Sequence, residues 1–133
     1  MERILKIEDI YDYRFPRPNT QYYGEIDGLK ITTTDQTILI GISSGQSCCE
    51  DSGYVTSEDD YKNFVDAELL SISLTDTSLE NVEVPNLYDG DAMFVNLETS
   101  VGLFQVVAYN SHNGYYGHNA VVVSKQLNYS EVL

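Results

Sequence analysis

A chain of 133 residues that is 42% apolar can bury one core, is too apolar for wholesale disorder, and has no run long enough to span a membrane as a helix. Seven Lys and Arg against 21 Asp and Glu leave a net charge of −14, with no basic residue between Lys62 and Lys125. Such a surface repels nucleic-acid backbone and anionic membranes, which are bound by basic groups displacing counterions; what remains is a protein kept soluble by its charge, or one offering a negative face to a basic partner.

Residues 1–20 mix charge with rings and end in Arg14–Thr20, "RFPRPNT", where two prolines predict an extended arm. Their charge leaves no apolar core for an export signal, so the expected location is the cytoplasm. Arg14 and Arg17, two of the three arginines, sit beside Tyr11, Tyr13 and Phe15. Asp27-Gly28 reads as a hairpin turn between Gln21–Ile26 and Leu29–Thr34. Thr37–Ser43, "TILIGIS", is a β-branched run with the character of a core strand. Cys48 and Cys49 are neighbours, which close no loop worth a disulfide, so they are expected as thiols.

Thr56–Val65, "TSEDDYKNFV", is the best candidate for a short helix, with Thr56 or Ser57 as N-cap and acidic residues in the first turn. Glu68–Thr77 alternates apolar and polar and predicts a half-buried strand. Ser78–Asp91 is turn-rich and reads as a surface excursion. Ala92–Ser100 and Leu103–Ser111 are strong strand candidates joined by a tight hairpin at Ser100–Gly102, and Asn119–Leu127 is the last strand before a short tail. The fold expected from these elements is mostly β, a β-rich α+β protein. Antiparallel sheets form a sandwich-like core with one or two short helices. The expected organisation is a single domain, with an arm at 1–20, a core at 21–127 and a tail at 128–133.

Tyr109–His118, "YNSHNGYYGH", holds both histidines and three of the eleven tyrosines. Asn113-Gly114, between Leu103–Tyr109 and Asn119–Val123, is a hairpin turn signal that would join these two strands. It does not account for Tyr115 and Tyr116 between His112 and His118, since rings at a loop edge either cover a core end or stack on something flat. Cys48, Cys49, His112 and His118 make a poor zinc set, because adjacent cysteines point apart and structural sites space them by two to four residues. A thiol nucleophile is disfavoured by the acidic field, which raises thiol pKa. Cys48–Asp60 carries five carboxylates but lacks the register of a calcium loop. No catalytic residue, metal or cofactor is therefore assigned.

Taken together, Cys48-Cys49-Glu50, Phe64–Ile72, Phe94–Val107 and Asn113-Gly114-Tyr115-Tyr116, in this order over roughly residues 30–124, resemble the family around the first-described phage Thoeris anti-defence proteins. The resemblance implies a small β-rich, homo-oligomeric, non-enzymatic protein of the host cytoplasm. Its implied activity is that of a sponge, sequestering a nucleotide-derived immune signal such as a cyclic ADP-ribose isomer and holding it intact. On that reading Tyr115 and Tyr116, with Phe104 or Tyr109, stack the base, while Asn113 and His112 read polar edges. Better-known members carry an arginine just before the Asn-Gly-Tyr-Tyr element. Here that stretch has no basic residue, which turns the search for phosphate partners to the backbone amides of the turn with Asn110, Asn113 and the histidines, or to Arg14 and Arg17 of a neighbouring subunit's arm. The charge balance supports a second expectation, an acidic inhibitor that mimics nucleic acid and binds a basic surface of a host defence protein.

Overall fold

The computed structural model describes residues 1–14, 24–44, 52–79, 82, 91–111 and 117–133. Among them the strands are β1 (Ile4–Arg14), β2 (Glu25–Thr33), β3 (Thr37–Ser43), β4 (Ser52–Thr56), β5 (Leu69–Thr75), β6 (Asp91–Thr99), β7 (Gly102–Asn110), β8 (Asn119–Val123) and β9 (Asn128–Val132). A single turn of 3-10 helix, Tyr61–Phe64, lies between β4 and β5. The strands make a five-stranded sheet in the order β1-β2-β3-β8-β9 and a four-stranded sheet in the order β4-β7-β6-β5, every pair antiparallel.

Alternation decides which side chains go inside. Met93, Val95 and Leu97 of β6 and Phe104, Val106 and Ala108 of β7 face Leu29 and Ile31 of β2 and Ile38, Ile40 and Ile42 of β3 in one cluster spanning both sheets. The arrangement is a β-sandwich. Phe104 is 1% exposed and meets Phe64 edge-on at 5.0 Å between centroids, which clamps the 3-10 turn to the core. On alternate positions of the larger sheet, Ile10, Ile26, Leu39 and Val121 form a second buried cluster.

Both sheets run between the same two poles. At one, β2 turns into β3 over Thr34–Gln36, β6 into β7 over Ser100–Val101, and β8 into β9 over Ser124–Leu127. Glu2 ties two of these turns together, accepting from Thr33 Oγ1 at 2.5 Å, Gln36 Nε2 at 2.8 Å and Gln126 Nε2 at 2.9 Å. Partial burial pushes the Glu2 carboxyl up, but these bonds and Lys125 outweigh it and hold the group below its ordinary value. The 100–101 turn is closed by Thr99, whose hydroxyl donates to Gly102 O at 2.7 Å and accepts from Val101 N at 3.2 Å, and Gly102 has φ 133°. Arg14, Glu25, Ser43, Ser52, Asn110 and Asn119 lie at the opposite pole, where the strand pairs end.

Several expectations are corrected. Residues 4–14, expected in an arm, form the edge strand β1 and pair along β2. β1 carries one extra residue twice, between Ile4 and Lys6 and between Ile10 and Tyr13, as bulges do. Asp27-Gly28 is not a turn but lies inside β2, with Gly28 opposite Gly41 of β3. A Cβ on Gly28 would stand 2.0 Å from Ile40 O, so glycine serves close strand approach there. The expected Thr56- or Ser57-capped α-helix is replaced by the end of β4 and the 3-10 turn, whose N-cap is Asp60, accepting from Lys62 N at 3.1 Å. The pull of Phe64 into the core sets that geometry. β7 and β8 belong to different sheets, so Asn113-Gly114, itself outside the described residues, does not join a hairpin of those two strands. The expected tail contains β9, paired with β8 from Asn119↔Val132 to Val123↔Asn128. The hairpin of β6 and β7 and the core strand Thr37–Ser43 form where the sequence places them.

Candidate functional site

A cleft of about 550 Å³ runs along β4, where that edge strand faces β1 and β2 of the other sheet. Tyr11, Asp27, Gly53, Tyr54, Val55, Thr56, Asp59, Tyr61 and Tyr109 line it. Local structure explains why these side chains meet. The second bulge of β1 places Asp12 at φ 50°, and its N–H is held by Asp27 Oδ1 at 2.9 Å, so the extra residue is locked to β2. Tyr11, next to it, stands 68% exposed with its ring 6.4 Å from that of Tyr54 at a 45° tilt. Gly53 leaves room for Tyr109 on the neighbouring strand: a Cβ there would come 3.2 Å from the Tyr109 hydroxyl.

Two of the rings are fixed by Asp9 of β1. Its Oδ1 accepts from the Tyr54 hydroxyl at 2.7 Å and the Tyr61 hydroxyl at 2.9 Å, so a β1 carboxylate clasps two rings carried by the other half of the sandwich. The Tyr54 and Tyr11 hydroxyl oxygens are 3.3 Å apart. Partial burial and then the Asp9 contact push the Tyr61 phenol up to about 12; burial, with Tyr11 and Asp9, raises Tyr54 well above the ordinary phenol value. Both rings therefore stay protonated at neutral pH and hold their protons on Asp9. Thr56 also spends its proton inward, on Glu58 O at 3.0 Å. The lining presents oxygen acceptors and ring faces to a ligand. It contains no lysine or arginine among the described residues.

The sequence-predicted residues part company here. Tyr109 lines the cleft. Phe104, expected to stack a base, faces the core and instead backs Tyr61 edge-on at 5.9 Å, because its position on β7 has inward parity. Asn110 is 1% exposed and donates from Nδ2 to Leu133 O at 3.1 Å. Arg14 is exposed beside Glu25 at 3.0 Å, three residues beyond Tyr11 on the same strand. His118 is buried, 3.4 Å from Ser43 Oγ. Arg17, His112, Asn113, Tyr115 and Tyr116, like Cys48 and Cys49, lie outside the described residues. Sequence reasoning missed Asp9, Tyr11, Asp27, Tyr54, Asp59 and Tyr61 as a site. The available signal was a tyrosine count of eleven, too diffuse to point to any one place.

Among the described residues no three His, Cys, Asp or Glu side chains converge to hold a metal ion, and no helix is long and apolar enough to cross a membrane. A second groove of about 340 Å³ lies on the opposite flank, between β5, β6 and β9. There the Tyr129 hydroxyl bonds to Glu131 of its own strand at 3.0 Å, which raises its pKa without tying the sheets together.

Fold and site together define an antiparallel β-sandwich with an acidic, tyrosine-walled cleft on one flank. The chain belongs to the family described as domain of unknown function DUF7448, whose family model matches residues 1–122. No curated protein and no solved structure matches it.

Proposed function

We propose that the protein is a non-enzymatic, phage- or prophage-encoded anti-defence protein that sequesters a small nucleotide-derived signal, a cyclic ADP-ribose isomer or related cyclic nucleotide. The nucleoside part enters the tyrosine cleft. The observation that supports this reading is the cleft itself, a ligand-sized space of about 550 Å³ walled by Tyr11, Tyr54, Tyr61 and Tyr109. A base stacks on such rings, and its amino group and the ribose hydroxyls donate to Asp27 and Asp59. Phosphates stay at the rim, where the exposed Arg14, three residues beyond Tyr11 on β1, meets them. Nothing in this scheme breaks a bond; sequestration needs slow release.

The test is native mass spectrometry of the purified protein with a panel of cyclic nucleotides, followed by recovery of the bound molecule. The expected result is an intact ligand on a homo-oligomer, with binding weakened about tenfold or more in Tyr11→Ala, the scale of one lost stacking contact. A folded protein that ignores the panel would overturn the reading.

A second reading has its own support in the net charge of −14 and a lining with no lysine or arginine among the described residues. The protein then acts as an acidic inhibitor on a basic surface of a host defence protein. It predicts a protein partner whose binding weakens steeply with salt, whereas a stacked nucleotide depends on salt less.

A further inference from the structure

From the chemistry of the cleft we infer that the group it takes is a flat organic cation, an amidinium, a guanidinium or a ring-nitrogen cation, carried by a small molecule. The inference rests on reading the cleft as the ligand site, and deepens it by fixing the charge of what enters.

Three features lead there. The first is shape: Tyr11 and Tyr54 stand as tilted rings 6.4 Å apart, with Tyr61 and Tyr109 completing the wall. Electron-rich phenol faces attract a cation that is able to shed part of its water. The second is proton direction. Tyr54 and Tyr61 both donate to Asp9, and Thr56 donates to Glu58, so these three hydroxyls face a ligand with lone pairs only. N–H groups on a cation find matching acceptors there, and no lysine or arginine among the described lining residues offers an anion a counter-charge. The third is dispersion of charge. Asp27 and Asp59 line the space, yet among the described residues no three carboxylate, His or Cys ligands converge on one point. A metal ion needs convergence; a cation with charge spread over a plane needs acceptors at intervals, as here.

The test uses a matched pair, benzamidine and its neutral isostere benzamide, titrated against the full chain while the ring resonances of Tyr11, Tyr54 and Tyr61 are followed by NMR. Benzamidine is expected to bind at least about tenfold tighter than benzamide, with that preference lost in the double variant Asp27→Asn, Asp59→Asn. An amide side chain at position 27 keeps an oxygen that accepts from Asp12 N–H, so the variant keeps the β1 bulge, and an unchanged melting temperature confirms its fold. Equal binding of the two probes would overturn the charge assignment and leave the cleft as a ligand site. No movement of the tyrosine signals with either probe at about 10 mM, a concentration that detects millimolar affinity, would overturn both. Tighter binding of N-acetylarginine amide than of benzamidine would overturn the small-molecule source, handing the cleft to an arginine of a protein partner.

Discussion

At one pole of the sandwich the chain reverses over residues 34–36, 100–101 and 124–127, and β4 passes to β5 through 57–68; at the other the strand pairs end at Arg14, Ser43, Thr75 and Asn110. The short turns are fastened by side chains, Glu2 across two of them and Thr99 within the third. Tyr11, Gly53 and Tyr109 of the cleft lie close to the opposite end of their strands. One pole sets register and stability, and the other gives a rigid scaffold its room for recognition.

Three experiments would break or sharpen this contrast. Phe104→Ala removes the ring on which both halves pack and should cost about 3–5 kcal/mol by urea denaturation. A loss below about 1 kcal/mol would mean that the 3-10 turn is not anchored there. Gly102→Ala forces a side chain onto φ 133° at the short-turn pole and should cost about 1–3 kcal/mol. Gly24→Ala at the opposite pole, where a Cβ meets nothing within 4 Å, should stay within about 0.5 kcal/mol. Equal costs at the two glycines would erase the distinction between the poles.

The smallest effect is the most diagnostic for the cleft. The folded pKa of Tyr61, about 12, lies above the ordinary phenol value of 10. Its protonated form is therefore favoured by folding, a contribution complete below pH 10 and lost as pH rises through 12. In Asp9→Asn the hydrogen-bond acceptor loses its charge, so tyrosinate absorbance should grow in at lower pH, with burial keeping Tyr61 somewhat raised. Superimposable ultraviolet titrations of the two proteins would dismiss the Asp9 clasp.

The strands carried their own signature wherever one face is buried: Thr37–Ser43 and the alternation of Ala92–Ser100 could be read without neighbours. Dipeptide turn signals misled, because Asp27-Gly28 answers to Gly41 across a sheet rather than to its own flanks. Asn113-Gly114 was read as closing a pair of strands that belong to different sheets. The cleft was legible only at Tyr109, which stands in a ring-dense stretch. Tyr11, Tyr54 and Tyr61 are scattered along the chain and share a wall because β1 and β4 face each other, a juxtaposition no spacing encodes. Asp9 was hidden for the same reason: one carboxylate among 21 acidic residues acquires meaning from two hydroxyls supplied by distant segments.

The two bulges of β1 have an effect beyond the cleft they help to shape. An end strand of eleven residues offers a row of amides and carbonyls that would template another chain. Each inserted residue breaks the straight ladder, and the Lys6–Glu8 ion pair at 2.7 Å sets charge on the same rim. The irregularity beside Tyr11 thus also guards the rim against fibre-like stacking, which keeps a strand-rich protein from adding copies of itself along that edge.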